Sequence, residues 1–376
     1  MTIDRREMLG ALSAVAAAGA MSGIADSALG AETKSKKSGS RLRLVATEEA
    51  CSVPEVAEAL RQVAHSTWNN LDMLLVNAIY NAADPARAPF LAQLLDIDAG
   101  RLAVMDENDV DMHLLSLTAP GVQMFDADTG TALATIANDA LAEAVKRHPA
   151  RYAALATFAP QDPKRAVKEM ERAINSLKMN GFIINSHTNN EYLDLPKFWP
   201  ILEAAEAMNA ALYIHPRAPS DGMAAPFRDY RLETAAWGYG VEVATHAVRL
   251  MLSGTLDRFP KLKIVLGHMG EAVPFWLWRL DFMGRPGFGN NMRTNKLKPS
   301  EYFRQNFAIT TSGVEDHLAL RYSIDRIGVD SVMWAIDYPY QPTTPAVAFM
   351  QSAPIPDADK QKIAHGNAER IFHIGA

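Results

Sequence analysis

Short apolar runs alternate along the chain with longer segments in which apolar residues recur every three to four positions. The short runs are typical of buried strands, and the longer segments are typical of the amphipathic helices that connect them. The pattern predicts eight strands, at residues 42–47, 110–117, 152–158, 181–185, 211–214, 263–266, 307–310 and 332–336. Strands that alternate with helices in this way usually form a parallel sheet.

Two of the connecting segments carry additional helix signals. Asp162 followed by Pro163 supplies an N-terminal cap and a first-turn proline, and apolar residues then fall on one stripe. Residues 198–208 show the same spacing. Eight strand–helix units in about 335 residues fit a (β/α)8 TIM barrel with insertions better than a doubly wound sheet. We expect the main additions at residues 52–109 and in the Gly-, Pro- and Asn-rich segment 284–299.

Composition narrows the possible partners. Of the 376 residues, 48% are hydrophobic and 21% charged, which disfavours a disordered or fibrous chain. The 37 Lys and Arg residues are outnumbered by 43 Asp and Glu residues, so neither nucleic acid nor an anionic membrane surface is expected as the main partner. The single Cys51 excludes an intramolecular disulfide and a Cys-rich metal site. Any bound metal must therefore be held by His and carboxylate side chains.

The N-terminus indicates export. Arg5 and Arg6 precede a weakly apolar run at residues 8–24, which resembles a twin-arginine signal, and small residues near Ala31 offer a cleavage site. The run is too short to predict a stable membrane span after cleavage. We predict a signal peptide at 1–31, a polar linker at 32–40, one catalytic domain at 41–376, and a periplasmic location. The alternative is a frayed N-terminus with two chance arginines.

Four polar residues lie at or just beyond the ends of predicted strands: Glu48, His215, His268 and Asp337. The carboxyl ends of barrel strands meet at one mouth, so these residues are expected to lie close together. Strand alternation favours Glu48 over Glu49 as the inward carboxylate. Two carboxylates with one or two imidazoles make a plausible single-metal site that leaves positions open for water or substrate.

Seven segments together resemble one known family: 46–50 (ATEEA), 115–123 (LSLTAPGVQ), 184–194 (INSHTNNEYLD), 213–217 (YIHPR), 267–271 (GHMGE), 275–279 (FWLWR) and 337–339 (DYP). They are similar to amidohydrolase-superfamily decarboxylases of the 2,3-dihydroxybenzoate and γ-resorcylate (2,6-dihydroxybenzoate) type. Each segment alone is a weak signal, but their joint presence in the family's order is strong. The resemblance covers nearly the whole chain after the linker.

The resemblance implies that Glu48, His215 and Asp337 bind one divalent metal ion. It also implies that His268 stands beside Asp337 and handles or orients a proton. Glu271, one turn further along, would hydrogen-bond the His268 imidazole and raise its basicity. In the implied reaction, Asp337 or its water protonates the ring carbon with help from His268, and CO₂ leaves.

Other interpretations of single residues remain open. His187 either contacts the ring oxygens of a substrate or organises a loop, and Arg217 either binds a carboxylate or pairs with a nearby acid. The four strand-end residues could individually be a solvated acid, a turn histidine, a helix cap and a turn aspartate. Cys51 and the remaining histidines are interpreted as structural or surface residues: His65, His113, His148, His246, His317, His365 and His373.

The first strand departs from related patterns at Ala50. Superfamily hydrolases usually carry His-x-His there, and γ-resorcylate decarboxylases resemble Glu-x-His, but Ala50 cannot bind metal. The departure argues against a binuclear hydrolytic site. The remaining donors are rich in oxygen, so Zn²⁺, Mn²⁺ and Mg²⁺ all stay open.

The resemblance therefore implies a metal-dependent nonoxidative decarboxylase of a hydroxylated aromatic acid, with a small aromatic carboxylate as its partner. It also implies a homo-oligomer, either a dimer or a tetramer. The alternatives are a metal-dependent hydrolase of a lactone, ester or amide on the same barrel, and an exported binding protein without activity.

Overall fold

The computed structural model describes residues 41–66, 70–81, 85–284 and 295–375. The predicted signal peptide (1–31) and linker (32–40) lie outside the described residues, as do residues 285–294 of the predicted Gly-rich addition. No helix in these described ranges is both long enough and apolar enough to cross a membrane.

In the part of the chain that the structure describes, nine short strands run parallel to one another in chain order: β1 Val45–Cys51, β2 Met112–Leu117, β3 Tyr152–Ala154, β4 Ala156–Thr157, β5 Phe182–Asn185, β6 Leu212–His215, β7 Ile264–Leu266, β8 Phe307–Thr310 and β9 Val332–Met333. They form two arcs, β1 to β3 and β4 to β9. Only Leu155 separates β3 from β4, and its N–H donates to the Leu115 carbonyl at 2.9 Å. The Ala50 N–H donates to the Tyr338 carbonyl at 2.8 Å and links β1 to the chain after β9. Each of the eight predicted strand positions contains a strand, and together these strands form the predicted α/β barrel.

Two strands differ from their predicted bounds. β1 runs from Val45 to Cys51 instead of 42–47, so Glu48 and Glu49 lie within the strand and not after it. Hydrogen bonds from within the protein allow this strand to bury both acids. β9 ends at Met333 instead of residue 336 because the next N–H groups bond to side chains or to a helical turn near the C-terminus.

Helices cover the strands: Pro54–Ala64, Met73–Tyr80, Ala88–Leu95, Ala99–Glu107, Ala127–Arg147, Pro163–Asn175, Trp199–Ala207, Asp221–Ala224, Gly238–Leu252, Thr255–Arg258, Val273–Met283, Pro299–Asn306, His317–Ile327, Thr343–Ser352, Asp357–Gln361 and Asn367–Ile371. The first four form the predicted insertion at 52–109. Asp162 caps its helix as predicted, because its carboxylate accepts from the N–H groups of Lys164 and Arg165.

Alternate strand residues fill the barrel interior. These side chains are buried against one another: Val45, Leu114, Leu155, Ile183, Tyr213, Val265, Ala308 and Met333. The intervening residues, such as Ile184, Ile214 and Leu266, pack outward against the helices. The interior is a packed core, and at its mouth Tyr213 directs its hydroxyl toward Glu48.

Candidate metal centre

Glu48, His215 and Asp337 converge at the mouth of the barrel. Glu48 lies on β1, His215 ends β6 and Asp337 follows β9. One possible ligand atom from each residue lies within 4.8 Å of the other two. Residues separated by more than 280 positions meet here because parallel strands bring their carboxyl ends to the same face.

The Glu48 carboxylate is held on one side and unpaired on the other. Its Oε2 accepts hydrogen bonds from the hydroxyls of Tyr213, Ser312 and Thr310, the last at 2.9 Å. Its Oε1 is buried without a hydrogen-bond partner and lies 3.6 Å from His215 Nε2. Burial acts to raise the pKa of Glu48, but the charges of His268 and His215 lower it below its ordinary value. An ionised, half-satisfied carboxylate fits a bound cation.

The His215 ring presents a lone pair to the same space. Its Nδ1 lies 2.8 Å from the Pro216 carbonyl, which can only accept a hydrogen bond, so the ring proton sits on Nδ1. Nε2 is then the lone-pair nitrogen on the side of Glu48. Burial lowers the pKa of His215. Neutral imidazole is the form that binds metals, and the ring orientation suits that use.

Gly267 leaves the space that the Glu48 carboxylate occupies. A Cβ atom at this position would lie 2.7 Å from Glu48 Oε1 and 2.8 Å from Oε2, which is too close for any side chain. Gly267 thus leaves room for the Glu48 carboxylate. The site then has two carboxylates and one neutral imidazole, a set of donors that fits one divalent ion.

His268 lies beside these three residues on an unusual turn. The five residues from His268 to Ala272 all have positive φ, between 48° and 72°. The left-handed conformation costs about 1–2 kcal/mol for each residue that carries a Cβ, so this turn stores strain beside the site. The sequence allowed a helix cap at His268 and placed Glu271 one turn further along, and Gly267 and Gly270 were the available signals for a different backbone.

The turn gives His268 three acidic neighbours. Its Nδ1 lies 2.7 Å from Glu271 Oε1, while its Nε2 lies 3.7 Å from Glu48 Oε1 and 3.8 Å from Asp337 Oδ2. Burial acts to lower the pKa of His268, but the charges of Glu48 and Glu271 raise it well above the ordinary value. With Nδ1 on Glu271, the ring turns Nε2 toward Glu48 and Asp337, so a proton on that nitrogen would face the site.

Asp337 also has a left-handed backbone, with a φ of 76°. Burial raises its pKa to about 6, against the lowering effect of the His268 hydrogen bond. The amides on either side of Asp337 are bound by the carboxylate of Glu49, a residue for which the sequence indicated no function. The available signal was two consecutive acids on one buried strand.

A cavity of about 920 Å³ opens above His268 and Asp337. Much of its wall is apolar and includes Val248, Leu252, Trp276, Leu280 and Val314. An apolar cavity that ends at a charged site suits a ligand with an aromatic body and an anionic group.

His187 and Arg217 lie in a different buried cluster and do not line this cavity. Arg217 binds the Asp72 carboxylate through Nε, at 3.2 Å, and Nη2, and its Nη1 donates to the His187 carbonyl at 3.0 Å. His187 Nε2 donates to the Ala218 carbonyl, and its Nδ1 accepts from the Asn190 N–H. Their contact with substrate remains a prediction.

Glu242 extends this cluster. Its carboxylate accepts from Ser186 Oγ at 3.0 Å, the Ser220 N–H at 3.0 Å and the Tyr192 hydroxyl at 3.1 Å. His246 accepts from the Leu193 N–H at 3.1 Å, so it acts as a structural residue, as the sequence suggested. We call the connected set of side chains the loop network: Asp72, Ser186, His187, Arg217, Glu242 and His246.

Comparison with known proteins adds independent information. The sequence profile of the family described as Amidohydrolase matches residues 70–374. A γ-resorcylate decarboxylase from Polaromonas sp. is 35% identical over 291 residues, which covers 75% of this chain and 89% of that relative.

Two solved structures are also similar. The crystal structure of the 5-carboxyvanillate decarboxylase LigW from Sphingomonas paucimobilis has a TM-score of 0.87 and 59% identity, and the match covers 89% of this chain and 100% of that one. A 5-carboxyvanillate decarboxylase from Novosphingobium aromaticivorans, complexed with manganese and 4-hydroxy-3-methoxy-5-nitrobenzoic acid, has a TM-score of 0.84 and 36% identity, with 88% and 96% covered.

Proposed function

The chain belongs to the amidohydrolase family, and from that premise we infer that it is a metal-dependent decarboxylase of hydroxylated aromatic acids. It is thus a carboxy-lyase on a barrel that also supports hydrolytic chemistry. The observation that carries this conclusion is the convergence of Glu48, His215 and Asp337, with the His268 imidazole beside them. Ala50, where superfamily hydrolases would carry a histidine, leaves a single-ion centre.

We propose that Glu48, His215 and Asp337 hold the ion. A divalent metal at this position would supply positive charge that binds the substrate carboxylate and the adjacent phenolic oxygen. Manganese in a 36%-identical decarboxylase supports Mn²⁺ as the ion among the three that the donor set allows.

The residues around the ion supply the proton. Asp337, whose pKa is raised to about 6 by burial, gives its proton to the ring carbon that carries the carboxylate. A carbon–hydrogen bond forms, the carbon–carbon bond to the carboxylate breaks, and its electron pair restores the aromatic ring as CO₂ leaves. His268, held by Glu271, then returns a proton to Asp337. The apolar cavity wall excludes water and packs against the ring.

We propose a substrate of the 5-carboxyvanillate class, meaning a methoxylated phenol with a carboxylate beside the hydroxyl. The 59% identity and full coverage of the Sphingomonas enzyme support this class over γ-resorcylate, whose decarboxylase from Polaromonas is 35% identical.

The test is a comparison of substrates with the metal-loaded protein. We expect CO₂ from 5-carboxyvanillate, less from γ-resorcylate and 2,3-dihydroxybenzoate, and deuterium at the vacated ring position when the reaction runs in heavy water. A protein that hydrolyses a lactone, ester or amide but releases no CO₂ from any hydroxylated aromatic acid would instead be the hydrolase alternative.

We propose that residues 1–31 direct export by the twin-arginine route and that the protein acts in the periplasm, as a domain at 41–376 behind a linker at 32–40. Arg5 and Arg6 support this proposal. Replacing both by Lys should keep the protein in the cytoplasm, and unchanged fractionation would contradict export.

We also propose a homo-oligomer, either a dimer or a tetramer. The helix Val273–Met283 presents Phe275, Trp276 and Trp278 with 64%, 53% and 62% of their surfaces exposed, which supports burial against another copy. Size-exclusion chromatography with light scattering should give a multiple of the chain mass, and a monomer at micromolar concentration would contradict association.

A further inference from the structure

Glu49 is a buried acid that points away from the metal centre. Its neighbour Glu48 faces the site, whereas the Glu49 side chain turns toward the chain that follows β9. Glu49 Oε1 accepts from the Ile336 N–H at 3.0 Å, and Glu49 Oε2 accepts from the Tyr338 N–H at 3.2 Å. The single residue between these two amides is Asp337.

The two hydrogen bonds fix a backbone that is intrinsically unfavourable. Asp337 has a φ of 76°, a conformation that costs about 1–2 kcal/mol for a residue with a Cβ. Holding the N–H groups of the residues before and after Asp337 restrains the short stretch of backbone that carries its Cα–Cβ bond. The carboxylate of Asp337 is therefore aimed by Glu49, although the two side chains have no direct hydrogen bond.

The same contacts tie Asp337 to the strand that carries Glu48. The Ala50 N–H donates to the Tyr338 carbonyl at 2.8 Å, so β1 and the Asp337 segment are joined on both sides of Glu49. Arg101 also connects β1 to the Asp337 segment. Its Nη2 donates to the Ala50 carbonyl at 2.7 Å, and its guanidinium lies 4.8 Å from the centre of the Tyr338 ring.

We propose that Glu49 is a positioning residue of the metal centre, which sets the separation of the Glu48 and Asp337 carboxylates by binding the amides that flank Asp337. The proposal rests on the proposed metal centre but not on the identity of the substrate. Groups that orient metal ligands in this way typically contribute 10- to 100-fold to metal affinity.

The experiment measures Mn²⁺ binding to the metal-free protein by calorimetry and by electron paramagnetic resonance. Glu49→Gln preserves shape but leaves only one acceptor for two N–H groups, and it should raise the Mn²⁺ Kd about 10- to 100-fold and broaden the spectrum. Glu49→Ala should do the same or more, and Glu49→Gln decides the outcome if the alanine variant does not fold.

The matched control is Glu169→Gln. Glu169 is also a buried acid, bound by Asn138 at 2.7 Å, by Thr135 at 3.2 Å and by Arg172 at 2.7 Å, and these contacts involve no residue of the metal centre. We expect it to lower the Tm of the metal-free protein as Glu49→Gln does, yet to leave the Mn²⁺ Kd within about twofold, inside the range of a surface change.

A double-mutant cycle tests whether Glu49 acts through Asp337. In an Asp337→Ala background, Glu49→Gln should change the Mn²⁺ Kd less than about twofold, because the carboxylate to be positioned is gone. A wild-type Kd in Glu49→Gln, equal weakening by Glu169→Gln, or additive losses in the cycle would each overturn the proposal. Wild-type protein that binds no divalent ion would overturn the metal centre itself.

Discussion

The metal centre and the loop network are both buried polar clusters near the barrel mouth, and both are built from carboxylates and histidines. In the loop network, hydrogen bonds within the protein engage every charged side chain, from Asp72 and Arg217 to Glu242. In the metal centre, Glu48 Oε1 is buried without a partner, and Asp337 and His268 have strained backbones. An unsatisfied buried acceptor costs about 1–3 kcal/mol, so it persists where a ligand completes it.

The difference separates a cluster that holds the fold from one that holds a ligand. Burial, residue type and position at the mouth do not distinguish the two. The discriminating feature is whether the hydrogen-bonding capacity is used within the protein. Variants in each cluster test whether this difference holds.

Replacing His215 by Ala should have the largest effect. It removes the only imidazole among the three proposed ligands, and a site with two carboxylates and water should not retain the ion through purification. We expect metal content to fall from about one ion per chain to near zero and CO₂ release to be lost, with folding retained. Elemental analysis, with Tm as the control, checks this expectation, and full metal occupancy in the variant would contradict the ligand assignment.

Replacing His268 by Asn should separate proton handling from metal binding. His268 contacts Glu271 and faces Asp337, so the variant should retain most of its metal but lose about 10²- to 10⁴-fold in kcat, as is typical of general acid–base residues. Metal content and kcat are measured on the same preparation. Release of the metal would show that His268 is itself a ligand.

Replacing Asp72 by Asn should lower the stability of the protein without weakening its metal binding. The change leaves the Arg217 guanidinium buried without its counter-ion, which costs about 3–5 kcal/mol of stability. We expect a large fall in Tm and an unchanged Mn²⁺ Kd at temperatures where the variant is folded. A rise in KM under those conditions would instead support the predicted contact of Arg217 with substrate.

Acidification should produce the smallest effect per residue, and the histidines of the loop network should account for part of it. Burial lowers the pKa of His187 to about 4 and of His246 to about 3, whereas both titrate near 6.5 in the unfolded chain. Below pH 6.5 the unfolded state binds more protons, so stability falls as pH falls, by about 2 kcal/mol per histidine at pH 5.

Urea unfolding of the metal-free protein at pH 7.5 and pH 5.0 measures this loss. His246→Gln should make stability less sensitive to pH, whereas His373→Gln, at an exposed position, should not. Equal pH sensitivity in the two variants would show that the loop network does not titrate in this way.

The barrel was predictable because its signal is local and repeated. Each predicted strand overlaps an observed one, since short apolar runs between helical segments have few other ways to be buried. The meeting of Glu48, His215, His268 and Asp337 followed from the same topology, because strand order alone places their ends at one mouth.

The pairing of side chains across the fold could not be read from the chain. Glu49 accepts from an amide 287 positions away, and Arg217 binds an acid 145 positions away, so no local pattern records either contact. The left-handed turn at His268 and the unpaired Glu48 Oε1 likewise exist only once the strands are packed. Periodicity specifies which face of an element is buried, but whether a buried polar atom is satisfied depends on what the rest of the fold places opposite it.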